Sequence, residues 1–364
     1  MSRRVLHLES GRHLYGGARQ VAYLIEGLAR AGLDNVLVCP PAGALARADL
    51  PARLAPLPLH GDVDPLLPFR LAWLLRRERA DLLHVHSRRG ADLYGGLAAR
   101  LAGVPAVLSR RVDHPEGRLG RALKYPQYRR IVAISAAIGR VLTAQGVPPA
   151  RVRVVPSAVP VPAVVDRAAA RRALAARYGL SPEAPVVAMA AQFIPRKGHA
   201  VLLAALPQVL AAQPQARFLL FGQGPLQAQV AEQVARRFDG RVILPGFEPS
   251  LATLLPGLDL LVHPALAEGL GVILLQAGAV GVPAVACAAG GMPEVVRDGQ
   301  TGLLVPPGDA DALAAALIRL LREAPLRRRL GEAARQHVQA HFSTEAMVAG
   351  NLAVYESLWQ DTGA

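Results

Sequence analysis

At 364 residues, 52% apolar and 19% charged, the chain exceeds what one hydrophobic core usually fills, and its composition excludes a disordered or low-complexity protein. Only Cys39 and Cys287 occur, with no CxxC pair and no His/Cys cluster at ligand spacing, which argues against a disulfide framework or a structural zinc. Formal net charge is +14, and residues 1–165, with 24 Lys+Arg against 11 Asp+Glu, carry +13 of it, so a basic face that draws anionic membrane, a phosphorylated acceptor or nucleic acid is expected on the first half.

The opening "MSRRVLHLES" has too short an apolar stretch for a signal peptide and reads as a first strand, which makes the cytoplasm the expected compartment. Short Val/Leu/Ile runs then alternate with longer amphipathic stretches: "NVLVCP", "LLHVHS", "PAVLSRR", "RIVAIS" and "VRVVPS" are the strands between them. This is the pattern of parallel strands buried on both faces and joined by crossover helices. A Pro-rich segment, 155–166, interrupts it. A second series follows in "APVVAMAAQF", "ARFLLFGQG", "RVILPGF", "LDLLVHPA", "VPAVACAAGG" and "GLLVPP". The expected architecture is α/β with two Rossmann-like doubly wound domains facing across a cleft: residues 1–160, residues 161–342, and a C-terminal helix over 343–364 returning toward the first domain. Ligands of such sheets bind at the carboxyl ends of the strands. The uncharged stretch 269–293 is broken by Gly281, Pro283, Gly290 and Gly291, so it reads as helix, turn and strand rather than as a membrane span.

Four glycine turns follow predicted strands: Gly16-Gly17, Gly222-Gln223-Gly224, Gly269-Leu270-Gly271 and Gly290-Gly291. None is GxGxxG or a Walker loop, which counts against dinucleotide oxidoreductases and P-loop enzymes. Gly269-Leu270-Gly271 opens a helix, whose free amides suit a phosphate. Lys197, one of two lysines in the chain, stands with Arg196 after another strand and could neutralise the same anion. Asp62 and Asp64 in "GDVDP" mimic a metal-binding DxD but lie in a Pro-rich loop, and no metal is expected. His84 and His86 share one side of a strand, where core positions and catalytic ones are equally consistent with the spacing.

The set "GGARQ", "HVHS", "AQFIPRKGH", "FGQGPL", "HPALAEGLGVILLQAG", "AGGMPEVV" and "FSTEAM" resembles glycosyltransferase family 4, whose members are retaining and have the GT-B fold. The resemblance implies a nucleotide-diphosphate sugar as donor substrate on the second domain, a glycan or lipid-linked acceptor on the first, and no cofactor. It places Glu268 at the donor sugar, Lys197 on the diphosphate, the amides of Gly269, Leu270 and Gly271 near both, and Gly16 and Gly17 at the β-phosphate. Gly224 belongs to the same nucleotide side, and the chain around Phe247 and Glu248 matches the segment that holds the base. The arginine common five positions before the lysine is Gln192, so Arg196 is expected to replace its charge. The histidine often found after the fourth strand is replaced by Arg111, with Asp113 beside it, and the second glutamate of the E-x7-E motif, a ribose ligand, is Gln276.

The resemblance further implies front-face transfer, in which fixed positive groups stabilise the leaving diphosphate. An acceptor in cell-envelope polysaccharide or lipopolysaccharide synthesis and peripheral contact with the inner face of an anionic membrane, through Arg88, Arg89, Arg110, Arg111 and "RLGRALKYPQYRR", are expected. Two rival classes remain at this point: an epimerase or phosphorylase of similar architecture, and a non-catalytic protein binding an anionic surface. RNP aromatics, a helix-turn-helix and a zinc knuckle are all absent from the sequence, which counts against nucleic acid.

Overall fold

Runs such as β4 and β11 below carry no charge and are buried along their whole length, as strands covered on both faces by helices must be. In the computed structural model, which describes residues 2–12, 16–58, 63–87 and 90–361, these runs build two parallel sheets. The first contains β1 (Arg4–Leu8), β2 (Asp34–Val38), β3 (Arg53–Leu54), β4 (Leu82–Val85), β5 (Ala106–Arg110), β6 (Arg130–Ala133) and β7 (Val152–Val154). The second contains β8 (Val186–Ala190), β9 (Arg217–Phe221), β10 (Val242–Gly246), β11 (Leu260–His263), β12 (Ala284–Cys287) and β13 (Gly302–Val305). Their orders are β3-β2-β1-β4-β5-β6-β7 and β10-β9-β8-β11-β12-β13, so both are doubly wound, with the crossover between β1 and β4 matched by that between β8 and β11.

The chain divides into one unit of residues 1–158 and 344–364 and another of residues 159–343. The last helix, Thr344–Asp361, therefore belongs with the first sheet. Met347, Val348, Val354, Tyr355 and Leu358 on it join Leu24, Leu28, Val5, Leu82 and Val107 in one core cluster. Gly27 makes the approach possible, since a Cβ there would lie 2.2 Å from Val348 Cγ2. Gln20 clasps the end of the unit's first segment, accepting from the Ala158 amide at 2.7 Å and donating to the Ala158 carbonyl at 2.7 Å.

A polar thread runs through this first core. His7 meets His86 at 3.0 Å and Asn35 at 3.1 Å, while His84 meets Tyr355 Oη at 2.5 Å and Ser109 Oγ at 2.9 Å. The three rings lie close enough to hold a metal, yet among the described residues five of their six nitrogens already have protein partners and only His86 Nδ1 has none. Burial pushes all three imidazoles below their usual range, His7 to about 4. They are neutral scaffold.

Candidate active site

The topology places the loops after β10, β9, β8, β11 and β12 side by side at one end of the second sheet. Lys197 ends a single 3-10 turn, Pro195–Lys197, after β8, one residue before the His199–Ala212 helix rather than inside it. Glu268 lies in the loop after β11. Although 71 residues separate them, the two form a direct ion pair between Lys197 Nζ and Glu268 Oε2. His263, the last residue of β11, places Nε2 3.1 Å from the same oxygen.

The main chain of that loop is clamped on two sides. Leu266 N donates to the Arg196 carbonyl at 2.8 Å, and Gly291 N donates to the Glu268 carbonyl at 3.0 Å. Only glycine fits where the clamps touch: at Gly198 (φ +76°) a Cβ would stand 1.9 Å from the Pro264 carbonyl, and at Gly290 (φ +56°) it would stand 1.9 Å from the Glu268 carbonyl. Arg196, whose side chain is exposed, reaches back with Nη1 3.2 Å from the Ala267 carbonyl, so it braces the loop that carries the glutamate.

Burial alone would raise the Glu268 carboxyl, but the hydrogen bond from His263 and the Lys197 ammonium outweigh it and hold the group at about 2. Burial lowers His263 below its usual value against the pull of Glu268, so a neutral ring donates from Nε2. The two donors share Oε2, and Oε1 receives no hydrogen bond from the described residues. Beside it, the buried amides of Gly269, Leu270 and Gly271 have no acceptor among the described residues, and Gly271 caps the helix Val272–Ala279. Three unspent N–H groups at a helix start form a cradle for an anion. Gln276 is half-buried in the second turn of this helix, and its amide makes no hydrogen bond to the described residues.

Gln192 is exposed and Gly224 packs on the neighbouring Phe193 backbone, so both border the site without touching Glu268. After β10, Phe247 is 55% exposed, whereas the Glu248 carboxylate is spent on Ser250, Tyr178 and Arg177. Of this pair, only Phe247 offers a side-chain surface.

In the first unit, Gly16 and Gly17 open the helix Gly16–Arg30, and the Arg111 side chain passes Gly17 at 3.8 Å from where a Cβ would be. Arg111 Nη1 lies 3.4 Å from Ser157 Oγ, and Asp113 takes no hydrogen bond or ion pair from the described residues. Arg110 is no part of an exposed basic face: it is buried against Glu116, which also accepts from Lys124 at 3.0 Å. Arg88, Arg89 and Asp62 lie outside the described residues, and Asp64 is paired with Arg70. Sequence reasoning missed His263; its one signal was a histidine five residues before the glutamate in "HPALAEG".

Residues 15–161 match the family described as glycosyltransferase family 4, and residues 170–337 match that described as glycosyl transferases group 1. Among curated proteins, the GDP-mannose-dependent monoacylated alpha-(1-6)-phosphatidylinositol monomannoside mannosyltransferase of Corynebacterium glutamicum is 37% identical over 50% of this chain and 49% of its own length, so the chain spans about half of that relative. The lipopolysaccharide core biosynthesis glycosyltransferase LpsE of Rhizobium meliloti is 26% identical over 97% of this chain and 99% of its own. The structure of Anabaena HepE in complex with UDP and glucose superposes with a TM-score of 0.81 at 21% identity, covering 97% of this chain and 98% of that one.

Proposed function

Because the chain belongs to glycosyltransferase family 4 and has the GT-B fold, we propose that it is a retaining glycosyltransferase, moving a sugar from a nucleoside-diphosphate donor to a glycan or lipid-linked acceptor of the cell envelope. The observation that carries this reading is the cradle of the second unit: three unspent amides at a helix start beside a lysine and an anionic carboxylate with one open oxygen. The sequence relatives named above are a mannosyltransferase and a lipopolysaccharide glycosyltransferase, and the HepE structure holds UDP and glucose. The first and the last carry nucleotide donors in their names, GDP-mannose and UDP with glucose, and because these differ in sugar and base they support the donor class without fixing either for this chain.

In the reaction, the bond between the anomeric carbon and the diphosphate oxygen breaks and a bond to the acceptor oxygen forms on the same face. The acceptor proton passes to the departing diphosphate. Lys197, with Arg196 close by, and the amides of residues 269–271 take up the negative charge that grows on that leaving group. Glu268, acceptor-only as an anion, orients the sugar through its hydroxyls. Gln276 takes the ribose, the chain at Phe247 the base, and Gly16 and Gly17 the β-phosphate; Arg111 and Asp113 serve the acceptor. No step requires a cofactor or metal. A panel of nucleotide sugars, read by mass spectrometry for transfer or hydrolysis and by NMR for the anomeric configuration, tests the reading. Inverted product, or turnover of none of them, overturns it.

The acceptor reading includes work at the cytoplasmic face of an anionic membrane. No helix among the described residues is long and apolar enough to cross a bilayer, and the contact proposed is peripheral. Support comes from the helix Leu67–Arg77: Phe69 and Trp73 are 62% and 58% exposed on its outer side, and Arg77 lies over the Trp73 ring at 5.1 Å. They line a groove of about 690 Å³ with Arg53 and Leu54 of the edge strand. Aromatic and arginine side chains together suit an interfacial surface. Co-sedimentation with vesicles containing anionic lipid checks this: Trp73→Ser with Phe69→Ser abolishes binding, and binding indifferent to lipid charge or to both changes rules it out.

A further inference from the structure

We propose that His263 is a positioning residue for Glu268, holding that carboxylate with one oxygen occupied and the other presented to the donor sugar; the inference rests on the donor reading above. His263 is 2% exposed at the end of β11, where Pro264 stops the strand and the loop turns toward Glu268. A carboxylate only accepts, so the 3.1 Å contact fixes the proton on Nε2. Nδ1 is then an acceptor, and it is sealed from solvent without a partner among the described residues. A ring held this way gains little from a second proton and acts as a neutral donor.

The geometry also says why a second donor is needed. Lys197 and His263 both approach Oε2, which leaves Oε1 open and makes rotation of the carboxylate break two bonds at once. In the proposed reaction the lysine is shared with the diphosphate. A glutamate held by Lys197 alone would lose its orientation on donor binding, the moment at which orientation counts. The His263 ring has no other hydrogen-bond partner among the described residues. The clamps at Arg196 and Gly291 already fix the main chain of the loop, so the histidine supplies the remaining constraint, that on the side chain.

The test uses the full chain with two changes at this position, each in the wild-type and the Glu268→Ala backgrounds. His263→Leu removes the donor and keeps bulk; His263→Gln returns an N–H to about the same place. His263→Leu is expected to lower kcat/KM for the nucleotide sugar roughly tenfold to fiftyfold, the scale of losing one oriented hydrogen bond to a charged group, and to move the acid limb of the pH profile upward by about one unit. Affinity for the free nucleoside diphosphate, which lacks the sugar, stays within about twofold, and His263→Gln recovers most of the loss. In the Glu268→Ala background His263→Leu costs less than about twofold more, because the histidine acts only through the glutamate. Additive losses in that background, or an equal fall in nucleoside-diphosphate affinity, overturn the proposal. Nitrogen-15 NMR of the histidine rings decides the point separately from catalysis. A neutral ring protonated at Nε2 at pH 7, altered by Glu268→Ala, supports it; a ring protonated at Nδ1, or one titrating near its ordinary value, overturns it. If no nucleotide sugar turns over, the donor reading fails while the NMR result still stands or falls by itself.

Discussion

β4 and β11 occupy equivalent places in their sheets, each beside the first strand of its unit, and each carries buried histidine. His84 is in the middle of β4, paired across to His7 and Val107, so its ring finds partners fixed by the fold itself: Ser109 on the adjacent strand and Tyr355 on the helix Thr344–Asp361. His263 is the last residue of β11, and its partner, Glu268, belongs to a loop. The same side chain at the same depth is therefore tied to stability in one unit and to a charged group at the sheet's carboxyl end in the other. Position along the strand separates the two roles, and residue type does not.

The contrast is sharpest if charge is removed from the second unit. Glu268→Ala and Lys197→Ala are each expected to lower turnover by two to three orders of magnitude, about 3–4 kcal/mol of transition-state stabilisation. Both side chains keep some exposure, 16% and 12%, so the orphaned partner turns toward solvent and thermal midpoints move by no more than a few degrees. Steady-state kinetics beside calorimetry checks this. A variant that unfolds would mean the pair holds the fold instead.

Acid separates His7 and Glu268, one in each unit, by the pH at which each gives up its contribution to stability. His7 is lowered from 6.5 to about 4 by burial, so the unfolded chain binds the proton more readily and stability is lost as pH falls from about 6.5 toward 4. For His7 alone this comes to about 3 kcal/mol when fully developed. Glu268 is lowered from 4.5 to about 2, so its contribution is present above about 4.5 and is lost as pH falls through that range to 2. Denaturant titrations in steps from pH 7 to pH 4 should show the loss, and His7→Gln should lessen it, since His84, His86 and His199 are lowered by burial as well. A wild-type stability constant across that interval would contradict the buried neutral cluster.

Much of this fold was legible in the sequence because buried parallel strands read as Val/Leu/Ile runs, and twelve of the thirteen strands among the described residues lie at such runs; the exception is β3, the exposed pair Arg53–Leu54, which has no apolar run to announce it. The turns at Gly198 and Gly290 were legible only as glycines; that both press on the loop of Glu268 depends on the order of β8, β11 and β12, which local pattern does not specify. The ion pair between Lys197 and Glu268 spans 71 residues for the same reason. Charge counting misled at Arg110, since a formal charge says nothing of whether a neighbour such as Glu116 has already neutralised it.

Smaller effects follow in the first unit if a ring is taken from the scaffold. His84→Ala deletes two hydrogen bonds and opens a cavity beneath Tyr355, at a cost of about 2 kcal/mol and a fall in thermal midpoint of roughly 4–8 °C. Nucleoside-diphosphate affinity, proposed above to rest on residues of the second unit together with Gly16 and Gly17, to none of which His84 bonds, should not change by calorimetry. Tighter or weaker binding in His84→Ala would show that the scaffold histidine reaches the site after all.

Gln276 asks how finely the helix start of the second unit is tuned. It stands on the helix Val272–Ala279, one turn past the amides of residues 269–271, with its side chain leaning back toward the helix start as all helical side chains do. A structural glutamine in an apolar helix would spend its amide on a nearby carbonyl, and this one makes no hydrogen bond to the described residues. An amide accepts through one oxygen and donates through two hydrogens, so it serves one ribose hydroxyl as acceptor and the other as donor. A carboxylate in its place would accept from both. Gln276→Glu should therefore keep activity and shift the donor KM by no more than about tenfold, within the ~1.4 kcal/mol that separates one good hydrogen-bond arrangement from another. Gln276→Leu should weaken nucleotide sugar and free nucleoside diphosphate by the same factor, because both carry the ribose, whereas His263→Leu weakens only the first. If Gln276→Leu and the wild type bind nucleoside diphosphate equally in calorimetry, the side chain never meets the ribose.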